Sequence, residues 1–351
     1  MSIPKPEYSR SKINWAGEVL ASAKPSRDDL VLALEILDNW RASHNYPLNT
    51  FNVTLRDRIK RIDAKAIIAQ RLKRSPAIIE KLQRFPGMRL SRMQDLGGLR
   101  VITTSIANVE RLVKLYKTPN LLEHELVRFD DYINEPKNDG YRSVHLVYKY
   151  KSKRTPVYDG LLIELQVRTK LQHAWATAVE TMSTVLGKNI KAHRGDKEWE
   201  KFFTISSAAF AYLERSSLVP GYDHLSRDET FAAVRVASEE IKALERMKDY
   251  SKAVEWIDKQ EKKWSYHLII LRSVERKIEI TSYSREDFKK ASSDYATAEM
   301  RAGQGEQIEP VLVSVGPLKN LKKAYPNFFL DINDFMRIIE QIINHSKSRS
   351  L

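Results

Sequence analysis

Ile163-Glu164-Leu165-Gln166-Val167-Arg168, running on through Thr169 into Lys170-Leu171-Gln172-His173-Ala174-Trp175-Ala176, is the stretch on which the reading of this chain turns. A period of two sends Ile163, Leu165 and Val167 to one face of a strand, and Glu164, Gln166 and Arg168 to the other. The apolar face belongs in a core, so the polar trio lines either a cleft or, more commonly for such alternation, a half-exposed sheet. A helix is expected directly after it, from Lys170 to about Leu186.

Working upstream, Ser143 to Tyr150 reads as a further strand, with Ser143 and His145 alternating against Val144 and Leu146. Gly140-Tyr141 stands at its mouth, where a Tyr stacks on a base or, more often, simply packs. Glu125 to Phe129 and Leu99 to Thr103 are two more strands, separated by a short amphipathic helix over Val109 to Tyr116. Asp95-Leu96-Gly97-Gly98 is a turn that places a carboxylate at a strand edge. Ser75-Pro76 reads as an N-cap with Pro at the first helical position, opening a helix to Gln83 that Phe85-Pro86-Gly87 stops. The N-terminal part is helical: Ser26 with Asp28 and Asp29 starts one helix through Leu37, and Leu55, Ile59 and Ile62 mark a second.

Downstream, a helix is expected over Trp199 to Leu213, and Val219-Pro220-Gly221-Tyr222 is the best boundary signal. Beyond it come a charged helical region (Arg227 to Lys263), strands at Tyr266 to Leu271 and Lys277 to Ser282 joined through Glu275-Arg276, a helix from Arg285 to Arg301, a strand at Val311 to Val315 and a last helix from Ile332 to Ile343. The expected fold class is α+β: a mixed-sheet, nucleotidyltransferase-like core with helical cover and a smaller C-terminal α+β domain. The expected domains are 1–66 as helical cover, 67–222 as the core and 223–351 as the C-terminal domain.

At 351 residues, the chain is long enough for two ordinary domains. It carries 59 Lys and Arg against 45 Asp and Glu, a net +14 that favours polyanionic partners: nucleotides, nucleic acid or an acidic membrane surface. It has no cysteine, which excludes disulfides, thiolate metal sites and a Cys nucleophile. No apolar run approaches the roughly 20 residues that span a bilayer, and the first residues are not those of a signal peptide. A soluble, cytoplasmic protein without a membrane role is the expectation.

Two sets of residues carry candidate chemistry. Arg71, Lys73, Arg74, Lys81 and Arg84 crowd one segment, which is a phosphate-binding cluster or, on spacing alone, more commonly a solvated helix face. Asp95 at a strand start and Glu164 on another strand offer hard oxygen ligands that suit magnesium on a triphosphate.

The ordered segments RLKRSPAIIEKLQR, MQDLGGLRV, PKNDGYRSVHL and IELQVRTKLQHAWA resemble the synthetase domain of the RelA/SpoT family over roughly Ile67 to Ala176. The resemblance implies an ATP-dependent pyrophosphokinase: a ribose 3′-hydroxyl attacks the β-phosphorus of ATP and AMP leaves, with Mg2+ as cofactor. It assigns Arg71, Lys73, Lys81, Arg84 and Arg100 to ATP, with Arg71 and Arg100 on the adenine. Asp95 and Glu164 are implied as catalytic acids and metal ligands, Glu164 alternatively as general base. Lys137, Tyr141, His145 and Gln166 are implied to hold the acceptor, and His173 stands where small alarmone synthetases commonly carry an acceptor-side Asn.

Two departures bear on the acceptor. After Trp175 the synthetases usually carry a Glu-His pair, whereas this chain reads Val179-Glu180-Thr181. None of its eight His precedes an Asp, the mark of the hydrolase half of the long bifunctional enzymes. Both lean toward the toxic branch, toxSAS, whose acceptor is the 3′ end of tRNA and whose action blocks translation. The appended C-terminal part resembles in layout the fused toxin–antitoxin type CapRel, which implies restraint by residues 223–351 and a phage protein as activator. The alternative is a small alarmone synthetase making (p)ppGpp or (p)ppApp from free nucleotides.

Overall fold

The computed structural model describes residues 4–118, 123–185, 197–248, 266–272, 277–284, 286–306, 308–314 and 332–348. They divide into two compact units, one of residues 1–130 with 144–167 and one of 131–143 with 168–351.

The first unit opens with α1 (Arg10–Ala21), α2 (Arg27–Ser43) and α3 (Asn45–Ile62). The expected start of α2 is present: the Ser26 side chain accepts from the Asp29 amide, and Asp28 and Asp29 sit in the first turn, where the helix dipole favours negative charge. His44 joins α2 to α3 and is buried, and its Nδ1–H donates to the Trp40 carbonyl at 2.7 Å. Burial pushes its imidazole down to about 4, against the opposing pull of the Trp40 hydrogen bond. Between the ordinary value of 6.5 and 4, the unfolded chain binds a proton that the native chain does not. Stability is therefore complete above pH 6.5 and falls by about 1.4 kcal/mol per pH unit as pH drops toward 4. Urea midpoints at pH 7 and pH 5 check this, and His44→Gln should flatten the difference.

The sheet runs in the order β1-β2-β5-β4-β3, from β1 (Ile67–Leu72), β2 (Gly97–Thr103), β3 (Glu125–Asp131), β4 (Val144–Lys149) and β5 (Leu162–Thr169). With helices α4 (Ser75–Arg84) and α5 (Ile106–Lys117) among these strands, the α+β class stands. β1 was not expected: six residues ending in Gln70-Arg71-Leu72 fit a helix as well as a strand, and only pairing with β2 from Ile67↔Ile102 to Leu72↔Gly97 decides it. The helix over Ser75–Arg84 has its N-cap at Arg74, one residue before the expected Ser75, with Pro76 in the first turn.

Register settles the faces. β4 and β5 pair antiparallel with His145 opposite Gln166 and Val147 opposite Glu164, so these side chains share one face, while Leu146, Ile163 and Leu165 share the other and are buried. That apolar face also holds Gly97, where an added Cβ would lie 3.0 Å from Ile163 Cδ1 and 3.2 Å from Leu48 Cγ of α3. The helix packs this closely because Gly97 has no side chain.

The second unit holds α6 (Lys170–Val185), α7 (Lys197–Glu214), α8 (Arg227–Glu240), β6 (Tyr266–Arg272), β7 (Lys277–Tyr283), α9 (Phe288–Gly303), β8 (Ile308–Ser314) and α10 (Asn333–Ser348). Strands order β7-β6-β8, and Ala291, Tyr295 and Ala298 of α9 pack with Leu268, Ile270, Tyr283 and Ile308. Glu275-Arg276 and the C-terminal part of the Arg227 to Lys263 region lie outside the described residues.

The turn Val219-Pro220-Gly221-Tyr222 falls inside this unit, and Val219 is fully buried. Helix α7 explains why. Trp199, Phe202, Phe203, Ile205 and Phe210 bury most of its circumference, more than α6 alone can cover. Phe335 of α10 touches Phe202, Phe203 and Phe210 with ring centroids 5.6 to 6.0 Å apart, and Phe231 of α8 joins the same core. A chain ending at Gly221 would uncover these rings, so it is expected to aggregate, readable as loss of the monodisperse species in size-exclusion chromatography.

Candidate active site

In the first unit, Asp95 precedes β2 and is gripped from two elements. Lys73 Nζ, just past β1, lies 3.0 Å from Oδ2, and Lys81 Nζ, in the last turn of α4, lies 2.9 Å from Oδ1. The backbone of Lys73 is itself pinned on both sides: its N–H donates to Leu96 O at 2.8 Å and its carbonyl accepts from Arg41 Nε at 2.8 Å. Arg41 had no signal in the sequence, since it acts on a main-chain atom from a distant helix. Burial pushes the Asp95 carboxyl up, but the charges of Lys73 and Lys81 and their hydrogen bonds outweigh it and hold the group below its ordinary value.

Glu164 is held in the same manner by different partners. His145 Nδ1 stands 2.9 Å from Oε1, and Gln166 Nε2 donates to Oε2 at 2.8 Å. Burial again pushes the carboxyl up, the hydrogen bond and charge of His145 with Gln166 bring it net below its ordinary value, and the Asp95 charge opposes them. That last influence marks two carboxylates within electrostatic reach. His145 and Gln166, expected on the acceptor, are therefore in contact with a candidate catalytic acid.

Arg71 and Arg100 lie on one sheet face: Arg71 is opposite Gly98 and Arg100 opposite Ala69, so the two long side chains are diagonal neighbours. Between them the floor is small. A Cβ added at Gly98 would meet nothing nearer than Arg71 O at 3.9 Å, which leaves room for a planar ring. Arg84 closes α4, with its guanidinium 5.3 Å from the Phe85 ring centroid.

The remaining expected residues belong to the second unit. Lys137 Nζ lies 4.3 Å from the Tyr132 ring centroid and 5.4 Å from that of Tyr141, and the two rings meet edge to face at 6.0 Å. His173 is buried, with Nδ1 2.5 Å from Arg168 Nη2. Arg168 differs from expectation: the alternation put it on the open polar face, but it is 2% exposed, because β5 hands over to α6 there and the side chain turns into the helix packing.

Residues 70–184 match the region found in RelA / SpoT proteins. Among curated relatives, the GTP pyrophosphokinase YjbM of Bacillus subtilis (strain 168) is 30% identical over 125 residues, 35% of this chain and 58% of the relative. The GTP pyrophosphokinase YwaC of the same organism is 30% identical over 116 residues, 30% of this chain and 52% of the relative. The chain thus spans about half the length of the curated relatives it matches. Among solved structures, a GTP pyrophosphokinase family protein from Streptococcus pneumoniae is 25% identical, with a TM-score of 0.42 over 52% of this chain and 88% of that one. The RelA/SpoT region contains Asp95, Glu164 and every expected ATP and acceptor residue, and it ends before α7. Its departing segment after Trp175 is core here: Val179, Thr181 and Met182 are buried.

Proposed function

We propose that this chain is a magnesium-dependent pyrophosphokinase that moves the β,γ-pyrophosphate of ATP to a ribose 3′-hydroxyl. The observation that carries the reading is the pair of carboxylates Asp95, clasped by Lys73 and Lys81 at 3.0 and 2.9 Å, and Glu164, held by His145 and Gln166 at 2.9 and 2.8 Å, both kept ionised by their own partners. Two ionised carboxylates are the hard oxygen donors that a divalent cation on a triphosphate prefers. Among the described residues no group of three or more His, Cys, Asp or Glu forms a cage. Two carboxylates completed by phosphate oxygens and water is the usual magnesium arrangement. Asp95 and Glu164 would hold the ion, whose chemistry is to neutralise charge on the transferring group.

The residues divide the remaining work. Lys73 and Lys81 orient Asp95 and add positive charge beside the phosphates, and Arg84 extends that charge. Arg71 and Arg100 hold the adenine over Gly98. A carboxylate held below its ordinary value is a weak proton acceptor, so Glu164 serves as ligand and orienting anion more readily than as a general base. Lys137 and Tyr141 take the acceptor, and His173, expected on the acceptor side, is held by Arg168.

For the acceptor we favour the 3′ end of tRNA, in the manner of the toxSAS branch and with a layout like CapRel. Residues 223–351 would then be the restraining part, and a phage protein the activator, in the cytoplasm. The altered segment after Trp175 and the net charge of +14 support this. Two curated relatives are named GTP pyrophosphokinases, which favours the second reading, synthesis of (p)ppGpp on a free nucleotide, with (p)ppApp as its adenosine form. The test is transfer from γ-labelled ATP with magnesium, offering GDP, GTP, ATP and bulk tRNA side by side to the full chain. Label on tRNA alone supports the first reading and label on a free nucleotide the second; no label on any acceptor, with candidate phage proteins supplied, sinks both.

A further inference from the structure

The segment that carries Lys137 and Tyr141 is bolted to α7, a helix that starts after the RelA/SpoT region has ended. The segment is a tight turn: Gly140 N–H donates to Lys137 O at 2.9 Å and Tyr141 N–H to Asp139 Oδ1 at 2.9 Å. Gly140 has φ +86°, and a Cβ there would stand 2.9 Å from Ser207 Cβ, 3.2 Å from Trp175 and 3.3 Å from the Thr204 backbone. The turn therefore lies directly on α7. Ser207 Oγ donates to Gly140 O at 2.6 Å, and Thr204 Oγ1 reaches Asp139 O at 3.4 Å.

A second anchor sits one residue beyond Tyr141. Arg142 is 2% exposed, with Nη1 3.5 Å from Oε2 of Glu214, the last residue of α7. Its guanidinium also donates to the Ser216 hydroxyl. Glu214 accepts from the Thr169 hydroxyl and from Gln172 Nε2 at 2.9 Å, so one carboxylate ties the turn, the end of β5 and the start of α6 together. Burying an ion pair is a poor source of stability but a good source of fixed geometry. Tyr141 thus has an anchored residue on each side, Gly140 and Arg142, and both anchors lead to α7.

We propose that Ser207 and Glu214 are positioning residues that set the Lys137–Tyr141 turn for the acceptor. The proposal rests on the reading that this turn holds the acceptor. The experiment uses the full chain, Ser207→Ala and Glu214→Gln, with hydrogen exchange read over 131–143 and transfer kinetics read for each substrate. Both variants should exchange faster across 131–143, with exchange over 67–102 unchanged. The acceptor KM should rise about tenfold or more while the ATP KM stays within twofold. Ser207→Ala removes one hydrogen bond and a single buried oxygen atom, so it keeps the question open should Glu214→Gln fail to fold. Unchanged exchange across 131–143 in the folded variants overturns the proposal by itself. So does faster exchange with both KM values raised alike, which is the mark of general loosening. Absence of transfer in the unaltered chain overturns instead the function on which the acceptor role rests.

Discussion

Asp95→Asn is expected to lower pyrophosphate transfer by at least about a hundred- to a thousandfold while the chain stays folded. The side chain keeps its shape, but the amide removes the charge that Lys73 and Lys81 both face at 3.0 and 2.9 Å. Two ammonium groups would then repel across a neutral amide, one amide nitrogen would point at a Lys donor, and a magnesium ligand would be lost. The stability cost should be small, on the order of 1 kcal/mol, because all three side chains retain some solvent exposure. Initial rates from γ-labelled ATP across a magnesium titration check it. A variant with unaltered rate and unaltered magnesium dependence would remove Asp95 from the site.

Glu164→Gln should cost a similar factor through a different route. His145 and Gln166 both present nitrogen to Glu164, and the Gln166 amide donates to it. A Gln at 164 has one acceptor where the carboxylate has two, so one neighbour meets an N–H and must turn away. The effect should fall on kcat, with the ATP KM nearly unchanged, and steady-state kinetics with saturating acceptor separate the two. An equal rise in the ATP KM would instead place Glu164 among the ATP ligands. The pH profile adds a sign. Asp95 and Glu164 are both held below their ordinary values, so their interactions are complete above the ordinary carboxylate range and are lost only as pH falls through lower, folded-state values. These two groups should therefore contribute no fall in rate between neutral pH and that range.

Local pattern placed side chains on faces, whereas the roles of the candidate residues came from the family resemblance. Alternation along Ile163–Val167 put Glu164 and Gln166 together, and the register with β4 brought His145 to the same face. Arg168 is not on an open face because α6 begins two residues later and its His173 meets the guanidinium, and a period of two says nothing about what covers a face. β1 stayed hidden because six residues with two Ile and an Arg fit either a helix or a strand until β2 pairs with them. Arg41 was invisible because it acts through a main-chain carbonyl.

By itself, the sequence determined the α+β class and most of the helix and strand order from β2 to α6, since these follow from periodicity and turn chemistry, while the roles of the candidate site residues rested on the family resemblance. The tertiary structure alone decided who holds whom. Lys73 and Lys81 clasp Asp95, His145 and Gln166 clasp Glu164, and α8 and α10 join the aromatic core of α7 despite a clear turn between them. Those outcomes depend on long-range pairing and on how much apolar surface a helix leaves uncovered, and no local window of sequence contains either quantity.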